Sequence, residues 1–277
     1  MKPDGFALGV TGVDHYENFP VASLLLPARL RRPVALIYRF AREADDFADE
    51  GDAAPHVRLQ QLAEFRSELQ RIRRVEAPGM PWFCDLAQII REYGLPIELF
   101  EDLLSAFSQD VVKSRYANYA EVLDYCRRSA NPVGRLLLVL YGESRPEAQS
   151  WSDAICSSLQ LINFLQDIAV DYRKGRIYLA LDELHAAGLT ENDIAHAQTG
   201  PAWQKFMHSQ VARARSLLYS GAPLGRTLKG RIGLEMRMII AGGARILEKI
   251  DRVSGDVFRH RPVLRPVDWP LMVLRSL

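Results

Sequence analysis

The sequence is short of the features that usually give a function away. It has three cysteines, Cys84, Cys126 and Cys156. An odd, sparse set without a CxxC pair is neither a disulfide framework nor a thiolate zinc site, and it fits a reducing cytoplasm. The six histidines form no HExxH. There is no GxGxxG, no GxxxxGK(S/T) and no GxSxG, so dinucleotide, P-loop and serine-hydrolase chemistry lack local support. An excess of one charge is also missing: 35 basic residues meet 34 acidic ones, for a net charge of +1. That balance gives no general pull toward nucleic acid or an anionic membrane. The longest apolar run, 136–141, is far below the ~20 residues that span a bilayer. The N-terminal segment has no basic start followed by an apolar stretch, so it does not read as a signal peptide.

What is there is helix. Hydrophobic residues make up 48% of the 277, enough for one domain with a sizeable core. Stretches rich in Ala, Leu, Arg, Glu and Gln repeat apolar residues at i, i+3, i+4 and i+7. Alternating strand-like runs between Asn-Gly or Asp-Gly turns are missing. The pattern predicts a single all-α domain over 1–277, with 1–14 as an extension and 255–277 as a tail. Helices are expected at about 20–30, 34–52, 56–75, 81–93, 97–113, 119–141, 146–173, 181–187, 191–198, 202–220, 227–254 and 268–275. Pro132 should break the 119–141 stretch near Asn131. Ser144 with Glu147, and Thr190 with Asp193, have capping-box spacing. Gly94, Gly142 and Gly188 stand where C-terminal caps are expected.

Two segments break the rule that helices keep charge outside. In the first, Asp45 and Asp49 are four apart and share a face, with Tyr38 and Arg42 leading into the same stripe. Asp46, Glu50 and Asp52 crowd the same two turns, and like charges at this spacing destabilise a bare helix. In the second, Asn163, Asp167 and Asp171 form one polar line on a helix otherwise occupied by Leu159, Ile162, Leu165 and Ile168. A helix that is apolar nearly all round is buried, and unpaired carboxylates there are costly. One DxxxD alone is commonly a solvated face. Two, one of them on a buried helix, point instead to a cation between facing carboxylates. Mg2+ is the simplest such cation, because it takes carboxylate oxygens and keeps places for phosphate oxygens. Arg39, Arg42, Arg173 and Lys174 are close enough in sequence to assist with a diphosphate.

These residues resemble the squalene/phytoene synthase family. Its Arg-plus-DxxxD motif is matched by Arg42, Asp45 and Asp49, and its NxxxDxxxD motif by Asn163, Asp167 and Asp171. Its Tyr-Cys is matched by Tyr125-Cys126, and its N-terminal His segment by 15–19. The resemblance spans about 15–250. It implies an all-α isoprenoid-synthase fold around a central cavity, and Mg2+ held by Asp45, Asp49, Asn163, Asp167 and Asp171. It further implies diphosphate contacts from His15, Arg42, Arg173 and Lys174, and Tyr125 facing a carbocation. Glu17 is an acid beside these groups and reads as a candidate base.

Typical members carry Val-Ala-Gly where this chain has Ser129-Ala130-Asn131-Pro132. That departure, with the strings at 15–23 and 255–258, is similar to the branch that ionises presqualene diphosphate and lets water trap the rearranged cation. Asn131 is then a candidate to orient that water. The rivals are a condensing synthase that uses farnesyl or geranylgeranyl diphosphate, and a non-catalytic lipid-binding relative. The family also implies functional coupling to a presqualene diphosphate synthase. Phe40, Leu136, Leu137 and Phe164 are open to two readings, tunnel wall or core. The apolar tail at 268–275, beside Arg259, Arg261 and Arg265, reads as a docked terminal helix or a peripheral contact with the inner membrane surface.

Overall fold

Thirteen α-helices account for nearly all regular structure in the computed structural model, which describes residues 26–277. They are α1 (Ala28–Asp49), α2 (Pro55–Arg73), α3 (Pro81–Tyr93), α4 (Ile97–Val112), α5 (Tyr119–Ser129), α6 (Asn131–Tyr141), α7 (Pro146–Arg173), α8 (Leu181–Ala186), α9 (Glu191–Ala195), α10 (Pro201–Ser220), α11 (Leu224–Thr227), α12 (Gly230–Arg252) and α13 (Trp269–Ser276). Two short strands, β1 (Arg115–Tyr116) and β2 (Ile177–Ala180), pair in parallel. The sequence pattern did not predict that pair. It forms where the chain leaving α7 runs beside 114–116, and Ile177 N–H donates to the Ser114 carbonyl at 3.0 Å.

The prolines behave differently from one another. The stretches expected at 20–30 and 34–52 are one helix over the described residues, because α1 runs through Pro33. Proline removes the N–H that the Arg29 carbonyl would accept, and the Tyr93 hydroxyl donates to that carbonyl at 3.4 Å. Pro132 does break its stretch. Ala130 (φ −117°, ψ −48°) separates α5 from α6, and Pro132 falls in the first turn of α6, where no N–H donor is needed. Gly94 and Gly142 are left-handed caps, as expected. The Ser144–Glu147 box does not form. Arg145 is the N-cap of α7 and makes no side-chain cap bond, while the Glu143 carboxylate takes the Arg145 N–H at 3.0 Å.

Helices α1 to α4 pack on an aromatic knot. Phe40 meets Phe65, Phe83 and Phe100 at ring separations of 5.6, 6.0 and 5.1 Å, distances at which tilted and edge-on rings attract. A second core joins α7, α10 and α12 through residues such as Leu159, Leu218 and Leu247. Helix α6 joins the two cores, with Leu136 and Leu140 in the first and Leu138 in the second.

The tail packs onto α12. Asp268, 1% exposed, takes Lys249 Nζ at 2.5 Å, Arg245 Nε at 2.7 Å and the Arg265 N–H at 2.7 Å. Burial pushes its carboxyl up, but Lys249, the Arg265 backbone and Arg245 outweigh burial and hold it below its ordinary value. Asp268→Asn is therefore expected to cost about 2 kcal/mol of stability in urea unfolding at pH 7, since the half-buried Lys249 and Arg245 lose the carboxylate between them. A depressed carboxylate contributes fully above the unfolded value of 3.8, and its contribution is lost as the pH falls below it. The gap between wild type and variant should thus narrow between pH 5 and about pH 2. A constant gap over that range would contradict the assignment.

Candidate active site

A cavity of about 350 Å³ runs along α1, α6 and α7 and is closed on another side by α12. Val34, Leu137, Ile155 and Ile239 make it apolar along most of its length. Its polar lining includes Arg42 and Asp45 of α1, Gln160 and Asn163 of α7, and Glu235 of α12. Helical spacing does this locally: Tyr38, Arg42 and Asp45 share a stripe of α1, and Gln160 and Asn163 share one of α7.

The two acidic lines face each other. Asp171 is pushed up to about 8 by burial, then by Asp167 on its own helix and by Asp49 across the gap. Asp45 is pushed up to about 7 by burial and then by Asp49, against the pull of Arg42. The Asp45 side chain keeps 41% of its accessible surface, and it borders the cavity. Arg42 lies 3.8 Å from Asp45 and 2.7 Å from Asp46.

The outer acids are held by cations of the chain itself. Asp49 takes both Lys174 and Arg176. Burial pushes Asp49 up, but these two cations outweigh it and hold it below its ordinary value. Lys174 also reaches Glu50 at 3.2 Å. Asp167 is gripped by Arg261 from the tail, and Gln166 Nε2 fixes that segment by donating to the Pro262 carbonyl at 2.6 Å. Among the described residues, no three His, Cys, Asp or Glu side chains converge as a ready metal cage. The donor set still fits a hard divalent cation. It consists of carboxylate and amide oxygens, and two of its acids, Asp45 and Asp171, are pushed up by burial and like charge.

Most of the sequence-derived site residues come together here: Arg42, Asp45, Asp49, Asn163, Asp167, Asp171, Lys174 and Tyr125. Two do not. Arg173 is exposed and has no ion pair among the described residues. Arg176, from the same basic stretch, reaches the acids instead. A Schellman turn ends α7, with Gly175 at φ 79° and Arg176 N–H bonded to the Asp171 carbonyl at 2.8 Å. That turn sends Arg176 back to Asp49. Asn131 is the second that stands apart. It is 6% exposed, its Oδ1 accepts from Ser157 Oγ at 2.9 Å between α6 and α7, and it is not on the cavity wall. Its neighbours Ser129 and Ala130 line the cavity instead. His15 and Glu17 lie outside the described residues.

Asp110 was missed. It is 6% exposed and accepts the Tyr125 hydroxyl at 2.6 Å and the Tyr178 hydroxyl at 2.9 Å. Burial pushes it up to about 6, against the pull of these bonds and of Arg176. A signal was available: Leu103, Phe107 and Asp110 fall on one otherwise buried face of α4.

A helical fold that sets two acidic faces beside an apolar cavity defines the class, an isoprenoid diphosphate enzyme. The chain belongs to the squalene/phytoene synthase family, which it matches over residues 13–268. It is 39% identical over 255 residues to a hydroxysqualene synthase of Rhodopseudomonas palustris, covering 91% of this chain and 85% of that one. It is 31% identical over 217 residues to a chloroplastic phytoene synthase of Narcissus pseudonarcissus, covering 75% of this chain and 50% of that one. Among solved structures, a squalene synthase from Alicyclobacillus acidocaldarius superposes with a TM-score of 0.79 at 35% identity, covering 87% of this chain and 90% of that one. A dehydrosqualene synthase superposes at 0.81 with 20% identity, covering 91% of this chain and 87% of that one, and shares the fold.

Proposed function

We propose that this protein is a hydroxysqualene synthase. It ionises presqualene diphosphate, lets the cation rearrange, and releases hydroxysqualene and diphosphate after water adds. The observation that carries the reading is one apolar cavity whose wall includes Arg42, Asp45 and Asn163. Support for this branch of the family comes from the relatives named hydroxysqualene synthase, which are 35–39% identical over 83–91% of the chain.

The residues that would hold Mg2+ are Asp45, Asp49, Asn163, Asp167 and Asp171. When bound, it supplies a Lewis acid for the departing diphosphate. Arg42, Lys174 and Arg176 are the cations that bind diphosphate oxygens. The apolar length of the cavity excludes bulk water, so that one water adds after rearrangement rather than before. Tyr125 borders the cavity and offers a ring to the positive charge. Because the substrate is already a C30 diphosphate, a condensing prenyl-diphosphate enzyme must supply it.

No helix among the described residues is long and apolar enough to cross a membrane. For so greasy a substrate we place the protein in the cytoplasm, in peripheral contact with the membrane through the tail. There Val267, Leu274 and Leu277 are exposed beside Arg265.

The test is product analysis. The purified protein is incubated with Mg2+ and presqualene diphosphate, without NADPH, beside a tube containing farnesyl diphosphate. Hydroxysqualene from the first tube and nothing from the second is the expected result. Consumption of farnesyl diphosphate would move the protein to the condensing branch. Silence in both tubes would leave only the non-catalytic reading.

A further inference from the structure

Asp110 binds neither metal nor diphosphate in the reaction proposed above, yet it is a buried carboxylate beside the cavity. Burying a carboxylate is costly unless donors surround it. Here two phenols do so: Tyr125 donates to Oδ2 at 2.6 Å and Tyr178 to Oδ1 at 2.9 Å. The two phenols are not equivalent. Tyr178 lies flat on Phe164, with ring centres 4.1 Å apart and planes 2° apart, and it is not on the cavity wall. Tyr125 is on the wall. The Asp110 backbone is anchored as well, because its carbonyl takes Arg176 Nη2 at 3.2 Å. One carboxylate is thus fixed by the rigid ring on one side and holds the cavity ring on the other.

A phenol that donates a short bond to a carboxylate carries more negative charge in its ring, since hydrogen-bonded groups polarise one another. A ring with more negative charge attracts a nearby cation more strongly. We infer that Asp110 is a positioning residue that acts through Tyr125: it fixes the ring at the cavity wall and strengthens its attraction for the carbocation. The inference rests on the carbocation reading above. No proton leaves Tyr125, and the ring stabilises charge without being consumed.

The test is a double-mutant cycle on diphosphate release from presqualene diphosphate with Mg2+, with kcat and KM measured separately and melting followed in parallel. Asp110→Asn should lower kcat about tenfold, part of the value of a desolvated cation–π contact, because the ring stays and only its position and polarisation change, with KM within about threefold. Tyr125→Phe should lose a similar factor. The double variant should be no slower than Tyr125→Phe, because the carboxylate acts only through that hydroxyl. Losses that multiply, a change confined to KM, or an unchanged kcat in Asp110→Asn would each overturn the inference.

Tyr178→Phe keeps the carboxylate and serves if Asp110→Asn fails to melt cooperatively. A kcat within about fivefold of wild type is expected, and a loss equal to that of Tyr125→Phe overturns the inference. Wild type that releases no diphosphate overturns the assigned reaction and this inference with it. A working wild type with a multiplicative cycle overturns the inference alone.

Discussion

Asp171→Asn should reduce diphosphate release about 10³-fold, while the protein without Mg2+ becomes slightly more stable. Asp171 has the more strongly raised value of the two acids that burial and like charge disfavour, at about 8. Asparagine has nearly the same shape and no charge to desolvate, so the ligand-free fold gains on the order of 1 kcal/mol. For a chain of this size that is a few degrees in Tm. The same change removes an anionic oxygen from the metal set, and losing one element of leaving-group stabilisation typically costs 10²–10³ in rate. Opposite signs for stability and activity are the signature of a group retained for its chemistry. Melting without Mg2+, set beside the rate with saturating Mg2+, checks both. A variant that keeps more than a tenth of the rate would remove Asp171 from the metal set.

Gly134→Val should lower both quantities. A Cβ at Gly134 would lie 2.4 Å from Ser152 Oγ and 2.5 Å from Cys156 Sγ. Both side chains would have to turn at once, in a contact where Ser152 is 2% exposed. Overpacking of this kind costs about 1–3 kcal/mol. Gly134 also borders the cavity, so the extra methyl groups press α6 from α7 or fill the space that the hydrocarbon needs. A rate loss of about 100-fold is expected, because small displacements near reacting groups are costly. Urea unfolding and the rate of diphosphate release are the measurements. A stable, active Gly134→Val protein would show that the two helices can part without consequence.

The acidic faces were legible because they are local. Asp45 with Asp49, and Asn163 with Asp167 and Asp171, share faces by helical period alone, and a buried helix cannot keep such a line without a purpose. Arg173 stands off that line on the same ground. It lies two residues past Asp171, about 200° round the helix, and so points away. Pro132 announced its break, since a proline inside a helix removes a donor wherever the rest of the chain goes. Pro33 did not break α1, and the carbonyl it leaves open at Arg29 faces the Tyr93 hydroxyl, far away in sequence, at 3.4 Å.

The sequence by itself determined that the chain is helical, where most helices begin and end, and that two helices carry carboxylates on an inward face. These follow from propensity, caps and a 3.6-residue period, which act over a few residues. Tertiary structure alone decided which cations close Asp49 and Asp167. Lys174 and Asp49 are 125 residues apart, and Arg261 and Asp167 are 94 apart. It also decided that Asn131 turns to Ser157 rather than to the cavity, that Leu137 lines the wall while Phe40 fills the core, and that Asp110 joins two tyrosines from different elements. Periodicity tells which side of a helix is inward. What waits on that side is set by the packing of helices far apart in the chain, because that packing alone brings their side chains within bonding distance.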